Sequence, residues 1–131
     1  MKLLNLFAIS LLSLTVFIAC GNGNVASVEQ VELLSCKDFD QKIKETESVQ
    51  LIDVRTSDEF AGGTIGSAIN IDFFGENFKE EMAKLDLERP VFVFCAKGGR
   101  SGKASAICKE LGFKKIYDLD GGYTAWSQYE K

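Results

Sequence analysis

Residues 91–105 read VFVFCAKGGRSGKAS: four apolar residues, a cysteine, then three cations and three glycines within the next eight positions. The unbroken apolar run after Pro90 suits a central strand covered on both faces, since strict alternation would instead mark one wet face. A helix should follow from about Ser101 to Leu111, closed by Gly112. The passage is therefore strand, tight loop and helix, with Cys95 at the carboxyl end of the strand. In an open parallel sheet, ligands bind beyond that end.

The same alternation runs outward in both directions. Upstream, VELL reads as a short strand, Ser35 caps a helix through Phe39 and Ile43 with Asp38 three residues on, and VQLIDV reads as a buried strand. Thr56 and Glu59 form a capping box for a short helix, SAINI offers a brief strand, and ENFKEEMAKL carries Phe78, Met82 and Leu85 at helical spacing. Downstream, KKIYDL is the last strand and GYTAWSQY the last helix. Strands alternating with helices predict an α/β domain with a central, mainly parallel sheet, right-handed crossovers and helices on both faces. The charge run KEEMAKLDLER reads as the solvated face of its helix.

The loop after Cys95 predicts anion chemistry. Successive N–H groups in AKGGR and the positive end of the following helix converge on whatever occupies the loop. The same donors, with Lys97 and Arg100, should favour thiolate over thiol and lower the pKa of Cys95. Gly98 and Gly99 allow conformations and approach distances that a Cβ would obstruct. A Walker phosphate loop is excluded by the missing glycine spacing and Gly-Lys-Ser/Thr ending. Histidine is absent from all 131 residues, which excludes a cysteine–histidine dyad and an ordinary zinc site. No metal or cofactor is expected.

The composition, 46% hydrophobic with one proline, describes one globular domain. Residues 1–19 carry the lone cation Lys2 and then the apolar run LLNLFAISLLSLTVFIA, the pattern of a signal peptide. The ending Phe17-Ile18-Ala19-Cys20 resembles the lipobox of bacterial lipoproteins, in which that cysteine is acylated. Leucine is usual where Phe17 stands, and an uncleaved membrane anchor is the alternative. Both readings tether the domain outside the cytoplasm. Residues 20–27 then form a lipid-anchored flexible linker, and residues 28–131 the domain, facing the periplasm from the bacterial cell envelope. The chain has 15 Lys and Arg against 19 Asp and Glu, and loss of Lys2 makes the balance more negative, so nucleic acid is not an expected partner. With Cys20 lipidated, Cys36, Cys95 and Cys108 remain, and an odd count leaves at least one thiol unpaired. Cys108 lies on an apolar stripe with Ala104, Ile107 and Leu111, roughly 12 Å along the helix from Arg100 at ~1.5 Å per residue, and reads as core. Cys36, near the start of the first helix, has no comparable cations around it.

CAKGGRS resembles the Cys-x-x-Gly-x-Arg-Ser active-site loop of single-domain rhodaneses, the thiosulfate sulfurtransferases. The likeness extends through LIDVRTSDEF, GTIGSAINI and DGGYTAW, and covers most of residues 28–129. It implies a rhodanese-like three-layer fold and a monomer. It also implies a two-step transfer in which Cys95 takes the outer sulfur of thiosulfate and passes it to a thiol, a protein thiol or cyanide. Ala96, Lys97, Gly98, Gly99 and Arg100 would bind the donor and the persulfide, while Asp53, Arg55, Glu59 and Ser101 would brace the loop. Trp126 reads as packing. Thr64 stands where the family often has histidine, and Ser67 where it often has glycine. The fold also resembles that of certain phosphatases and arsenate reductases, but these need a loop one residue longer than the six from Cys95 to Arg100. A non-catalytic rhodanese-like binding module is the other alternative, against which retention of Cys95 and Arg100 argues.

Overall fold

The computed structural model describes residues 30–129. The leader, Cys20, the linker and the start of the domain near Val28 lie outside the described residues. In chain order the elements are β1 (Val31–Leu34), α1 (Cys36–Glu45), β2 (Gln50–Asp53), α2 (Ser57–Ala61), β3 (Ile69–Asn70), α3 (Phe78–Ala83), β4 (Val91–Phe94), α4 (Gly99–Leu111), β5 (Ile116–Leu119) and α5 (Gly122–Trp126).

The caps read from the sequence start their helices. Ser35 Oγ accepts the Asp38 N–H at 3.2 Å ahead of α1. Ahead of α2, Thr56 N–H donates to Glu59 Oε2 at 3.0 Å while Thr56 Oγ1 accepts the Glu59 N–H, a reciprocal box that satisfies two otherwise orphaned donors. Helix α4 begins at Gly99, two residues before the expected start, because Gly98 takes the left-handed conformation (φ 103°) and turns the chain into the helix at once. It ends at Gly112 (φ 96°), whose N–H reaches the Cys108 carbonyl.

The five strands form one sheet in the order β1-β5-β4-β2-β3, and every pairing is parallel. Strand β4 lies between β5 and β2, which explains its unbroken apolar sequence: Val91, Phe92, Val93 and Phe94 have no exposed surface. The pleat sends its residues to opposite sides. Val91, Val93 and Cys95 join Met82 of α3 with Ala104 and Cys108 of α4, whereas Phe92 and Phe94 join Phe39 of α1 and Trp126 of α5. Three layers result, two of helices and one of sheet. On the second face Phe39 meets Phe92 edge-on at 5.4 Å and Trp126 at 6.1 Å, so Trp126 packs as expected. Burial of each of these large side chains contributes about 2–3 kcal/mol. Cys108 is fully buried, with its thiol pushed up to about 12 by burial, which suits core and not chemistry. Cys36 is partly buried, and burial raises its pKa as well.

Candidate active site

Strand β4 delivers Cys95 to the carboxyl edge of the sheet, and the turn at Gly98 wraps the next residues around its sulfur. The Gly98 N–H donates to Cys95 Sγ at 3.1 Å. Burial, the largest single influence, raises the thiol pKa, yet the N–H and hydroxyl of Ser101 and the N–H groups of Lys97 and Gly98 outweigh it. The net effect is a pKa below the ordinary thiol value. The donors are thus backbone amides and one hydroxyl. Lys97 is exposed and touches the sulfur through its N–H, not its ammonium.

Arg100 turns toward α2. Its Nη1 and Nη2 donate to Glu59 Oε2 and Oε1 at 2.7 and 2.8 Å, a two-pronged pair that holds the Glu59 carboxyl down at about 2. Glu59 Oε2 also accepts from the Thr56 N–H and hydroxyl, so one carboxylate closes the cap of α2 and orients the cation of the cysteine loop. The guanidinium lies 5.7 Å from the ring centre of Phe74, which is 69% exposed at the mouth.

A second ion pair lies deeper. Arg55 Nε donates to both Asp53 oxygens at 2.9 and 3.1 Å, and Arg55 Nη2 donates to Asp53 Oδ2 and to the Gly63 carbonyl, each at 2.6 Å. Thr64 Oγ1 donates to Asp53 Oδ2 at 2.8 Å, and Asn70 Nδ2 donates to the carbonyls of Asp53 and Arg55. Both charged groups are buried, and this number of bonds offsets much of their desolvation. The Arg55 guanidinium stacks 4.1 Å from the Tyr123 ring centre, which links this knot to α5. Ser67 is exposed on the adjoining turn.

The start of α5 closes the site from the other side, through residues to which the sequence assigns no role. The Tyr123 N–H donates to the Cys95 carbonyl at 2.7 Å, and the Thr124 N–H donates to that of Ala96 at 3.0 Å. Gly122 permits this approach: a Cβ there would lie 2.5 Å from the Cys95 carbonyl oxygen. The crowding expected at Gly98 and Gly99 therefore occurs here, because a Cβ on either of those would meet nothing within 4 Å. Gly98 is required for its backbone angle alone. The signal for Gly122 was the Gly-Gly pair after the last strand, at the same carboxyl edge as Cys95.

The arrangement offers a thiol of lowered pKa in a cup of N–H donors. The rhodanese-like domain family matches residues 35–129. The chain is 36% identical over 87 residues to the thiosulfate sulfurtransferase GlpE of Shewanella oneidensis, covering 66% of this chain and 84% of that protein. It is 29% identical over 99 residues to a sulfurtransferase of Allochromatium vinosum, covering 76% and 91%. Among solved structures, a rhodanese-related protein of Thermoplasma volcanium superposes with a TM-score of 0.64 at 29% identity, covering 74% of this chain and 91% of that one. The human single-domain sulfurtransferase TSTD1 shares the fold with a TM-score of 0.64 at 24% identity, over 76% and 97% of the two chains. The cysteine cup, the all-parallel sheet that presents it and these matches together show that the chain belongs to the rhodanese-like domain family.

Proposed function

We propose that this chain is a sulfurtransferase that moves a sulfane sulfur from thiosulfate or a related anionic donor, through a persulfide on Cys95, to a thiol or cyanide acceptor. The observation that carries the reading is the Cys95 sulfur, held at 3.1 Å from the Gly98 N–H with its pKa lowered by loop donors. The thiolate attacks the outer sulfur of thiosulfate, the S–S bond of the donor breaks, and sulfite departs with the electron pair. The new terminal sulfur carries the negative charge into the cup formed by residues 96–101, where preorganised donors stabilise it. An acceptor thiolate or cyanide then attacks that sulfur, and Cys95 leaves as thiolate. Lys97 and Arg100 attract the dianion at the mouth, Arg100 from the position that Glu59 gives it. Asp53, Arg55, Glu59 and Ser101 brace the loop.

Incubation with thiosulfate should add one sulfur, about 32 Da, to the protein, and Cys95→Ser should abolish the gain. A persulfide on Cys36 or Cys108 would overturn the assignment, and no loading from any sulfane donor would favour a binding module. We also propose that Cys20 is lipidated and tethers the domain at the bacterial cell envelope. The supporting observation is the apolar leader ending in Ala19-Cys20. With its own leader the protein should partition with membranes, and Cys20→Ala should block lipid attachment and processing. Normal leader removal from the variant would refute this.

A further inference from the structure

Beneath the first turns of α4 lies a carboxylate that no salt bridge reaches among the described residues. Asp118 of β5 is 4% exposed and stands between Val93 of β4 and Leu33 of β1. The pleat places it on the same side of the sheet as Ile116, Val93 and Cys95, facing α4. Its Oδ1 has no hydrogen-bond partner, and neither has the buried Ser105 Oγ. Its Oδ2 lies beside the backbone of α4, 3.9 Å from where a Cβ of Gly102 would stand. Burial pushes the carboxyl up to about 6, a rise that the nearby Ser101 and Ser105 hydroxyls reduce without closing a hydrogen bond to Oδ1. The other titratable groups facing it are Asp120, which also raises it, and Cys108 of α4, whose thiol is raised in part by the Asp118 charge. The flanking strand residues Val93 and Leu33 are neutral.

Ser101 joins this carboxylate to the nucleophile. Its hydroxyl bonds the Gly98 carbonyl at 3.2 Å, Gly98 in turn donates its N–H to the Cys95 sulfur at 3.1 Å, and the same hydroxyl is near enough to the sulfur and to Asp118 to lower the pKa of both. One hydroxyl proton, bonded to the Gly98 carbonyl, therefore has the sulfur and the carboxylate as alternative acceptors. A buried carboxylate oxygen left without a partner is costly, so the competition has consequences.

We propose that Asp118 is a positioning residue that sets, through Ser101, how strongly the Cys95 sulfur is hydrogen-bonded and how readily it carries negative charge. Ionised Asp118 draws on the Ser101 hydroxyl and adds a buried negative charge behind the thiolate. When the carboxylate takes up a proton from solvent, it becomes a donor to Ser101 Oγ or Ser105 Oγ. The Ser101 proton is then left for the sulfur. The inference rests on Cys95 as the nucleophile and does not depend on the identity of the sulfur donor.

Alkylation of Cys95 by iodoacetamide, followed by mass spectrometry of its peptide, tests this without requiring sulfur transfer. In the wild-type chain, the rate should rise with pH over a broader range than a single ionisation allows. Asp118→Asn should give a single-ionisation curve displaced to lower pH, with alkylation about threefold faster near pH 7. In a Ser101→Ala background, the same substitution should change the rate by much less. Coupling is reciprocal, so the Asp118 carboxyl followed by carbon NMR should titrate at lower pH in Cys95→Ser than in wild type, a measurement that does not require the Asn variant. An unchanged alkylation profile in Asp118→Asn, or an unmoved Asp118 titration in Cys95→Ser, overturns the proposal. An equal effect with and without the Ser101 hydroxyl also overturns it, because the route would not be Ser101. Failure to load sulfur alongside the expected alkylation profiles would count against the sulfurtransferase reading alone.

Discussion

A Cβ on Gly122 would lie 2.5 Å from the carbonyl oxygen of Cys95 and 2.7 Å from the carbonyl carbon of Ala96. The backbone of α5 thus supports the backbone of the cysteine loop directly, with no side chain between them. Gly122 also has φ 59°, so a side chain there meets both a clash and an unfavourable angle. Gly122→Ala should cost about 2–4 kcal/mol and slow sulfur loading of Cys95. Gly98→Ala meets the angle without the clash and should cost about 1 kcal/mol. Thermal melts of the two variants decide the point, and equal losses would contradict the distinction.

The Glu59–Arg100 pair should contribute stability that depends on acid. The Glu59 carboxyl is held at about 2 in the folded chain, against 4.5 without its partners. Its contribution is therefore present above pH 4.5 and lost as the pH falls toward 2. The side chain is 35% exposed, so solvent screening limits the effect to about 1 kcal/mol. Denaturant unfolding of wild type and Glu59→Gln should differ by this amount at neutral pH and converge in acid.

Asp118 should act in the opposite direction. Its folded value of about 6 lies above the ordinary 3.8, so the folded chain binds the proton more tightly than the unfolded chain. The stability linked to this group is present below pH 3.8 and lost as the pH rises through 6. Asp118→Asn should therefore gain on wild type between about pH 4 and pH 7, by up to about 3 kcal/mol. Urea unfolding at several pH values checks the sign as well as the size.

Arg55 is not replaceable by lysine. An ammonium cannot bond both Asp53 oxygens and the Gly63 carbonyl while covering the face of Tyr123 as the guanidinium does at 4.1 Å from its ring centre. Arg55→Lys should destabilise the fold by about 3 kcal/mol, since a buried charge loses partners. It should also slow sulfur loading of Cys95, because Tyr123 donates its N–H to the Cys95 carbonyl. A melt combined with a loading time course measures both effects, and a wild-type melt would refute the first.

Much of this protein was legible in its sequence because the governing interactions span only a few residues. The Thr56–Glu59 box, the Ser35 cap, the buried run VFVF and the placement of Cys95 at the end of that run follow from capping and periodicity. The family resemblance of CAKGGRS came from the same short stretch. The start of α4 at Gly99 was missed by two residues because Gly98 turns the chain in one step, a backbone angle that composition does not specify. The partner of Arg100 stands 41 residues away on α2, and the support for the Cys95 carbonyl comes from α5. Asp118 lies beneath the first turns of α4, with Oδ2 beside Gly102, only because β5 pairs with β4 and α4 crosses above both. Local rules act along the chain and determined the elements and the position of Cys95 at the end of β4. Strand order and crossover packing bring together residues remote in sequence, so only the tertiary structure decided that Arg100 pairs with Glu59, that α5 supports the Cys95 carbonyl, and which buried carboxylate lies beneath α4.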